Sequence, residues 1–180
     1  MVDRIILVGM MGAGKTTIGR MLADRLGWAH LDSDAQVEAD TGRTVPELFA
    51  DHGEAAFRAE ESRVLVDALS GSEPVVVSAA GGVVLSAPNR ELLVRSGVVV
   101  WLRADTDVLV RRVGAGAGRP LLDEDPAGVI SDLYRVRRPL YEAVAAVTLD
   151  VNGLTPDQLV DALLADEALA GRGIRSGGSG

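Results

Sequence analysis

The chain has 180 residues, 47% of them hydrophobic, which is enough for one domain with a buried core and excludes a disordered chain. It has no cysteine and two histidines, which excludes disulfides, thiolate metal sites and a multi-histidine metal centre. Its formal net charge of −8 argues against nucleic acid as a partner, and its apolar runs are too short to span a membrane. We therefore expect a cytoplasmic monomer with one domain over residues 1–170 and a flexible tail over residues 171–180.

The sequence alternates between short apolar runs, which predict strands buried on both faces, and longer stretches with helical spacing. In chain order, the predicted elements are strand 4–8, a helix ending at residue 26, strand 28–31, helices 35–40, 44–50 and 53–69, strand 74–79, helix 86–95, strand 98–102, helices 106–113 and 126–144, strand 147–151 and helix 155–170. A glycine-rich segment at about 114–126 predicts a mobile loop. The alternation predicts an α/β fold, doubly wound around a five-stranded parallel sheet, with its ligand site at the carboxyl ends of the strands.

The first predicted strand leads into a loop that matches the Walker A pattern, and the loop leads into a predicted helix. Glycines allow backbone N–H groups to face an anion, and the helix N-terminus adds a positive dipole end. In this pattern the lysine reaches the β- and γ-phosphates of ATP and the next hydroxyl ligates Mg²⁺, which assigns these roles to Lys15 and Thr16. We predict that the nucleotide is bound by Gly12, Ala13, Gly14, Lys15, Thr16 and Thr17.

Two carboxylates, Asp32 and Asp34, follow the second predicted strand. Residues two apart in an extended chain point to the same face, so both would point to one face if the extended backbone continues through Asp34. One would hold the hydration shell of Mg²⁺ and the other would face an acceptor hydroxyl. The alternative is that this segment only caps a helix, because a helical stretch begins at Ala35.

Six motifs resemble, in the same order, those of the shikimate kinase family. The resemblance runs from about residue 5 to residue 160, and six ordered motifs are more specific than a Walker loop alone. The motifs are GMMGAGKTTIG at 9–19, DSD at 32–34, FRAEE at 57–61, SAAGG at 78–82, RPLL at 119–122 and RRPLY at 137–141.

The resemblance implies a P-loop kinase of the nucleoside-monophosphate-kinase type that phosphorylates the 3-hydroxyl of shikimate with ATP, on the pathway to chorismate and aromatic amino acids. It implies that Arg58 and Arg137 bind the substrate carboxylate, and a planar guanidinium suits that contact. Asp34 would hold the ring hydroxyls and act as the base, with Asp32 near Mg²⁺.

The remaining implied roles belong to the glycine turn at 80–82 and to the segment at 114–126, which would be the lid. Gly81 and Gly82 would contact the substrate through their backbone. Arg119 would approach the transferring phosphate when the lid closes, and Arg112 would lie near the adenine. A cation that arrives late stabilises the transition state more than the ground state.

Several alternatives stay open from the sequence alone. Arg58 could pair with Glu54 or Glu61 on a helix surface, and Arg137 could be one of three solvated arginines with the register off by one. The enzyme could be another compact sugar-acid kinase, for example one that acts on gluconate, or the chain could be a nucleotide-sensing module without transfer. The chain has Ala80 where the family has a glycine, and Leu154 where many members have an arginine near the adenine, which leaves room for a shikimate analogue.

We expect Lys15→Met to abolish phosphoryl transfer, because no other lysine in the chain can supply the phosphate contact. The measurement is ADP release in a coupled assay with saturating acceptor. Near-normal turnover of this variant would contradict the assignment of the phosphate loop.

Overall fold

The computed structural model describes residues 2–114 and 125–170. Its strands are Arg4–Val8 (β1), Ala29–Asp32 (β2), Val75–Ser78 (β3), Val98–Arg103 (β4) and Val147–Asp150 (β5). Its helices are Lys15–Leu26 (α1), Ser33–Thr41 (α2), Val45–Ser70 (α3), Ala87–Ser96 (α4), Thr106–Gly114 (α5), Pro126–Val144 (α6), Pro156–Ala165 (α7) and Glu167–Ala170 (α8). A 3₁₀ turn, Val83–Leu85, precedes α4.

The five strands form one parallel sheet in the order β2-β3-β1-β4-β5. β1 lies at the centre, where Ile6 pairs with Val77 of β3 on one side and with Val99 of β4 on the other. Ile5, Ile6, Leu7 and Val8 have no exposed surface, as expected for a central parallel strand that is covered on both faces. The predicted α/β class and five-stranded parallel sheet are confirmed.

The helices form two contacting groups around the sheet. In one group α1 packs against α7, and in the other α6 packs against both α4 and α5. The centre of this second group contains Trp101 of β4 stacked on Tyr141 of α6, with ring centroids 6.0 Å apart. In the part of the chain that the structure describes, no helix is both long and apolar enough to cross a membrane.

Of the helical breaks, the structure contains one that the sequence predicts and one that it does not. The predicted break between helices 44–50 and 53–69 is confirmed, because α3 is two helical segments joined by a kink at Gly53, whose φ of 77° and ψ of 171° are not helical. Thr44 and Glu47 form a capping box at the start of α3. The predicted helix 155–170 is wrong in its last part, because α7 ends at Ala165 with Asp166 as its C-cap. The Asp166 side chain accepts from Ala168 N in the first turn of α8, which begins at Glu167.

A close approach between α1 and the sheet occurs at Gly19. A Cβ at this position would overlap Ser78 Oγ and lie 2.7 Å from His30 Nε2. Ser78 Oγ donates to the Lys15 carbonyl at 2.9 Å and contacts His30 Nε2 at 3.0 Å, so this pair joins the first turn of α1 to β2 and β3. Only glycine fits between the helix and the two strands.

We expect Gly19→Ala to lower the free energy of unfolding by about 1–3 kcal/mol, because the added methyl group must displace packed atoms. The matched control is Gly71→Ala, where a Cβ meets no atom within 4 Å and φ is −65°. Urea denaturation of both variants measures the difference. Equal stability of the two variants would show that α1 is not held at this point.

Candidate active site

The phosphate loop connects β1 to α1 and is shaped by three glycines. Gly9, Gly12 and Gly14 have φ values of 145°, 80° and 97°, and Gly14 is the N-cap of α1. These angles are unfavourable for residues with a side chain and allow the loop to wrap around an anion at the helix N-terminus. Lys15 Nζ donates to the carbonyls of Gly9 at 2.9 Å and Met10 at 3.0 Å, so the ammonium group lies over the loop.

Asp32 joins the phosphate loop to the start of α2. Its Oδ2 accepts a hydrogen bond from Thr16 Oγ1, and its Oδ1 accepts from Asp34 N at 3.1 Å and Ala35 N at 3.3 Å. The condition for Asp32 and Asp34 to share a face is not met, because the chain becomes helical at Ser33 and is no longer extended. Asp32 faces the phosphate loop, whereas Asp34 lies near enough to Glu61 for its charge to raise the pKa of that carboxyl.

The residues around Thr16 fit a bound Mg²⁺ ion. A hydroxyl and a carboxylate in contact are the hard oxygen donors that Mg²⁺ prefers. The described residues contain no group of three or more His, Cys, Asp or Glu that could form a complete protein cage. This arrangement suits an ion that keeps water molecules and is shared with nucleotide phosphates.

Arg58 lies at the edge of a cavity of about 470 Å³ between α3, the glycine turn and α4. Its guanidinium donates to Glu61 Oε2 on one side and to Glu54 Oε1, at 3.2 Å, on the other. Both ion pairs that the sequence offered as alternatives are therefore present. The side chain is only 26% exposed, and its guanidinium is 5.3 Å from the centre of the Phe57 ring, so Arg58 lies in the cavity wall rather than in solvent.

Burial and charge oppose each other at the Arg58–Glu61 pair. Burial alone would lower the pKa of Arg58, but the charges and hydrogen bonds of Glu61 and Glu54 raise it, so the guanidinium stays cationic. Glu61 is 2% exposed, and burial raises its pKa despite the opposing charge of Arg58.

Arg137 is distinguished from its neighbours by burial. It is 6% exposed, and its Nε has no hydrogen-bond partner among the described residues. Arg135 and Arg138 are exposed and pair with Asp132 and Glu142 on the same helix. The structure thus settles the register that the sequence left open, because only Arg137 of these three faces the interior.

The glycine turn after β3 brings the two arginines together. A Cβ at Gly82 would overlap the guanidinium of Arg58, and a Cβ at Gly81 would lie 3.3 Å from Arg137 Nη1. Ala80 causes no strain, because no described residue other than glycine has a positive φ. A side chain at 82 would therefore displace the Arg58 guanidinium and one at 81 would crowd Arg137, whereas the turn accepts alanine at 80.

Of the two predicted nucleotide contacts outside the loop, the structure describes Arg112 but not Arg119. Arg112 is exposed on α5, and its Nη1 donates to the Gly12 carbonyl at 3.2 Å, so it lies beside the phosphate loop. Leu154 is 41% exposed in the segment between β5 and α7. Arg119 and most of the predicted lid at 114–126 lie outside the described residues.

Two residues organise the site beyond what the sequence analysis assigned, which named Glu61 only as a possible surface partner of Arg58 and gave Ser33 no role. Glu61 is a buried carboxylate that holds Arg58, and Ser33 is fully buried with its Oγ accepting from Ala80 N at 2.8 Å. The sequence does indicate that Glu61 is buried, since it lies three residues after Arg58 and on the same helical face as the apolar positions Val64 and Leu65. The Ser33 contact spans 47 residues and has no local signal.

Comparisons with known proteins agree with this site. The family whose sequence model matches is shikimate kinase, over residues 11–167. The shikimate kinase of Ruegeria pomeroyi is 44% identical over 93% of this chain and 85% of that protein. That of Frankia casuarinae is 46% identical over 89% of this chain and 71% of that protein. The solved shikimate kinase of Acinetobacter baumannii in complex with shikimate has a TM-score of 0.90 and 38% identity, with 97% of each chain covered.

These matches extend over the phosphate loop, the glycine turn and the buried arginine of α6. The chain belongs to the shikimate kinase family.

Proposed function

We propose that this protein transfers the γ-phosphoryl group of ATP to the 3-hydroxyl of shikimate, on the pathway to chorismate and the aromatic amino acids. The observation that supports it most strongly is the pair Arg58 and Arg137 beside the glycine turn, at the same sheet edge as the phosphate loop. Two guanidinium groups next to a phosphate loop suit an acceptor that carries a carboxylate and a hydroxyl.

The substrate carboxylate is bound by Arg58 and Arg137. Both side chains are partly or fully removed from water, where charge-assisted hydrogen bonds are stronger than at an exposed surface. Glu61 keeps Arg58 in position because it is buried beside it, whereas Glu54 is 64% exposed and is the partner that a substrate carboxylate can replace. The backbone of Gly81 and Gly82 contacts the substrate between the two arginines.

The transfer itself is assigned to three charged residues. Lys15 contacts the β- and γ-phosphates, and Asp34 orients the acceptor hydroxyl and accepts its proton. Arg119 approaches the transferring group from the lid. Because the transition state of phosphoryl transfer is loose, positioning and electrostatic stabilisation account for most of the rate.

The nucleotide is bound by residues 12–17 and by Arg112. Mg²⁺, when bound, neutralises charge on the phosphates, and Thr16 and Asp32 are the residues that would hold it. The predictions of a monomer and of a cytoplasmic location remain predictions.

The experiment that tests the function is a coupled assay of ADP release with shikimate, quinate and gluconate as separate acceptors. We expect turnover with shikimate. Turnover with gluconate alone would contradict the proposal in favour of another sugar-acid kinase. ADP release with none of the acceptors would contradict it in favour of a nucleotide-binding module.

We expect Arg137→Gln to raise the KM for shikimate about 10-fold or more, because a charge-assisted hydrogen bond is worth ~1.5–3 kcal/mol. The matched control is Arg138→Gln on the next residue of α6, which is 55% exposed and pairs with Glu142. Steady-state kinetics of the two variants measure the difference. If both variants kept the wild-type KM, Arg137 would have no part in carboxylate binding.

We expect Asp34→Asn to lower kcat strongly while ATP affinity stays within about twofold, since we assign Asp34 to the acceptor hydroxyl and it is Asp32 that accepts from Thr16 of the phosphate loop. Kinetics with shikimate and calorimetry with ATP separate the two effects. A variant with wild-type kcat would reduce Asp34 to a structural residue of the first turn of α2.

A further inference from the structure

Tyr141 is a buried phenol directly beneath the glycine turn. It has no exposed surface, and its hydroxyl donates to the Gly81 carbonyl at 2.7 Å. The ring stacks on Trp101, and the hydroxyl lies 3.8 Å from Met10 Sδ in the phosphate loop. Tyr141 therefore contacts the core, the phosphate loop and the glycine turn at once.

The hydrogen bond to Gly81 determines the orientation of one peptide unit. The Gly81 carbonyl and the Gly82 N–H belong to the same peptide, and in a trans peptide these two groups point in opposite directions. Because the carbonyl points into the core toward Tyr141, the Gly82 N–H points away from the core. Gly82 lines the cavity that contains Arg58, so that donor is presented on the cavity side of the turn.

The peptide between Ala79 and Ala80 holds the turn from a second direction. Ala80 N donates to the buried Ser33 Oγ at 2.8 Å, so the turn is held by β2–α2 on one side and by α6 on the other. Gly81 is also close to Arg137, whose Nη1 would lie 3.3 Å from a Cβ at this position, while Tyr141 Oη would lie 3.4 Å from it. The phenol and the carboxylate-binding guanidinium thus pack against the same glycine.

The phenol is suited to act as a permanent donor. A hydroxyl has one proton, and the short distance to Gly81 shows where it is donated. Burial raises the pKa of Tyr141 to about 12, against the opposing charge of Arg137, so the proton is retained throughout the neutral range.

We propose that Tyr141 is a positioning residue for substrate binding, which holds the Gly81–Gly82 peptide so that its N–H faces the substrate beside Arg58 and Arg137. This inference rests on the proposed function, since it concerns the acceptor side of the same site. The Tyr141 hydroxyl would thus contribute to shikimate binding separately from the packing of the ring. A phenylalanine would fill the same space but would leave the Gly81 carbonyl buried without its donor, free to turn with its peptide.

The test compares Tyr141→Phe with Tyr134→Phe, which removes the hydroxyl from the other tyrosine of the chain, seven residues earlier on the same helix. We expect Tyr141→Phe to raise the KM for shikimate about tenfold while the KM for ATP stays within about twofold. Tyr134→Phe should match the wild type in both constants. Calorimetric titration of each variant with ADP and with shikimate gives the same comparison without turnover, and ADP binding reports that the variant is folded.

Two results would overturn the inference. One is a Tyr141→Phe variant with the wild-type KM and affinity for shikimate, which would make the residue part of the core alone. The other is an equal loss for ATP and shikimate, which would indicate a general loosening of the sheet edge. Absence of shikimate turnover by the wild-type protein would instead contradict the proposed function, so the two failures are distinguishable.

Discussion

The parallel pairing of β1 with β3 on one side and β4 on the other is the constraint on which the rest of the structure depends. Asp32, Ser78 and Leu7 lie in one row across the sheet, because Ser78 pairs with both of the others. Parallel strands end at the same edge, so the segments that follow β1, β2 and β3 must meet there. The phosphate loop, the N-terminus of α2 and the glycine turn are therefore neighbours although they are far apart in sequence.

A second consequence of this pairing is that the phosphate-binding helix is held by side chains of the sheet. Ser78 Oγ donates to the Lys15 carbonyl, and His30 Nε2 lies 3.0 Å from the same Ser78 oxygen. The absence of a side chain at Gly19 is what permits this approach. The first turn of α1 is thus positioned by two strands, which fixes the direction of the N–H groups that face a phosphate.

The acceptor side of the site concentrates charge in a place with little water. Arg58 and Arg137 are partly or fully buried, and among the described residues Glu61 is the one carboxylate that is buried with them. A buried charge is costly unless it is paired, and Arg137 Nε has no partner among the described residues. The carboxylate of the proposed substrate would supply an acceptor for this nitrogen.

Most of the fold could be predicted from local patterns. Strand 4–8 and helix 126–144 have the predicted bounds, since a continuous apolar run and a proline-started amphipathic stretch depend only on neighbouring residues. The break at Asp166 was missed because the choice between one helix and two depends on a side chain that caps the next segment. Asp32 and Asp34 do not continue one strand, because the chain is helical from Ser33, two residues before the predicted helix start at Ala35.

The sequence by itself determined the class of fold and the phosphate loop, because glycines, lysine and a strand–helix junction are all local features. It also named Arg58 and Arg137 through motifs, but it did not separate Arg137 from the exposed Arg138. Only the tertiary structure decided that Arg137 is buried, that Glu61 holds Arg58 and that Ser33 and Tyr141 hold the glycine turn. These are contacts between segments distant in the chain, and they exist only once the parallel sheet has brought its strand ends to one edge.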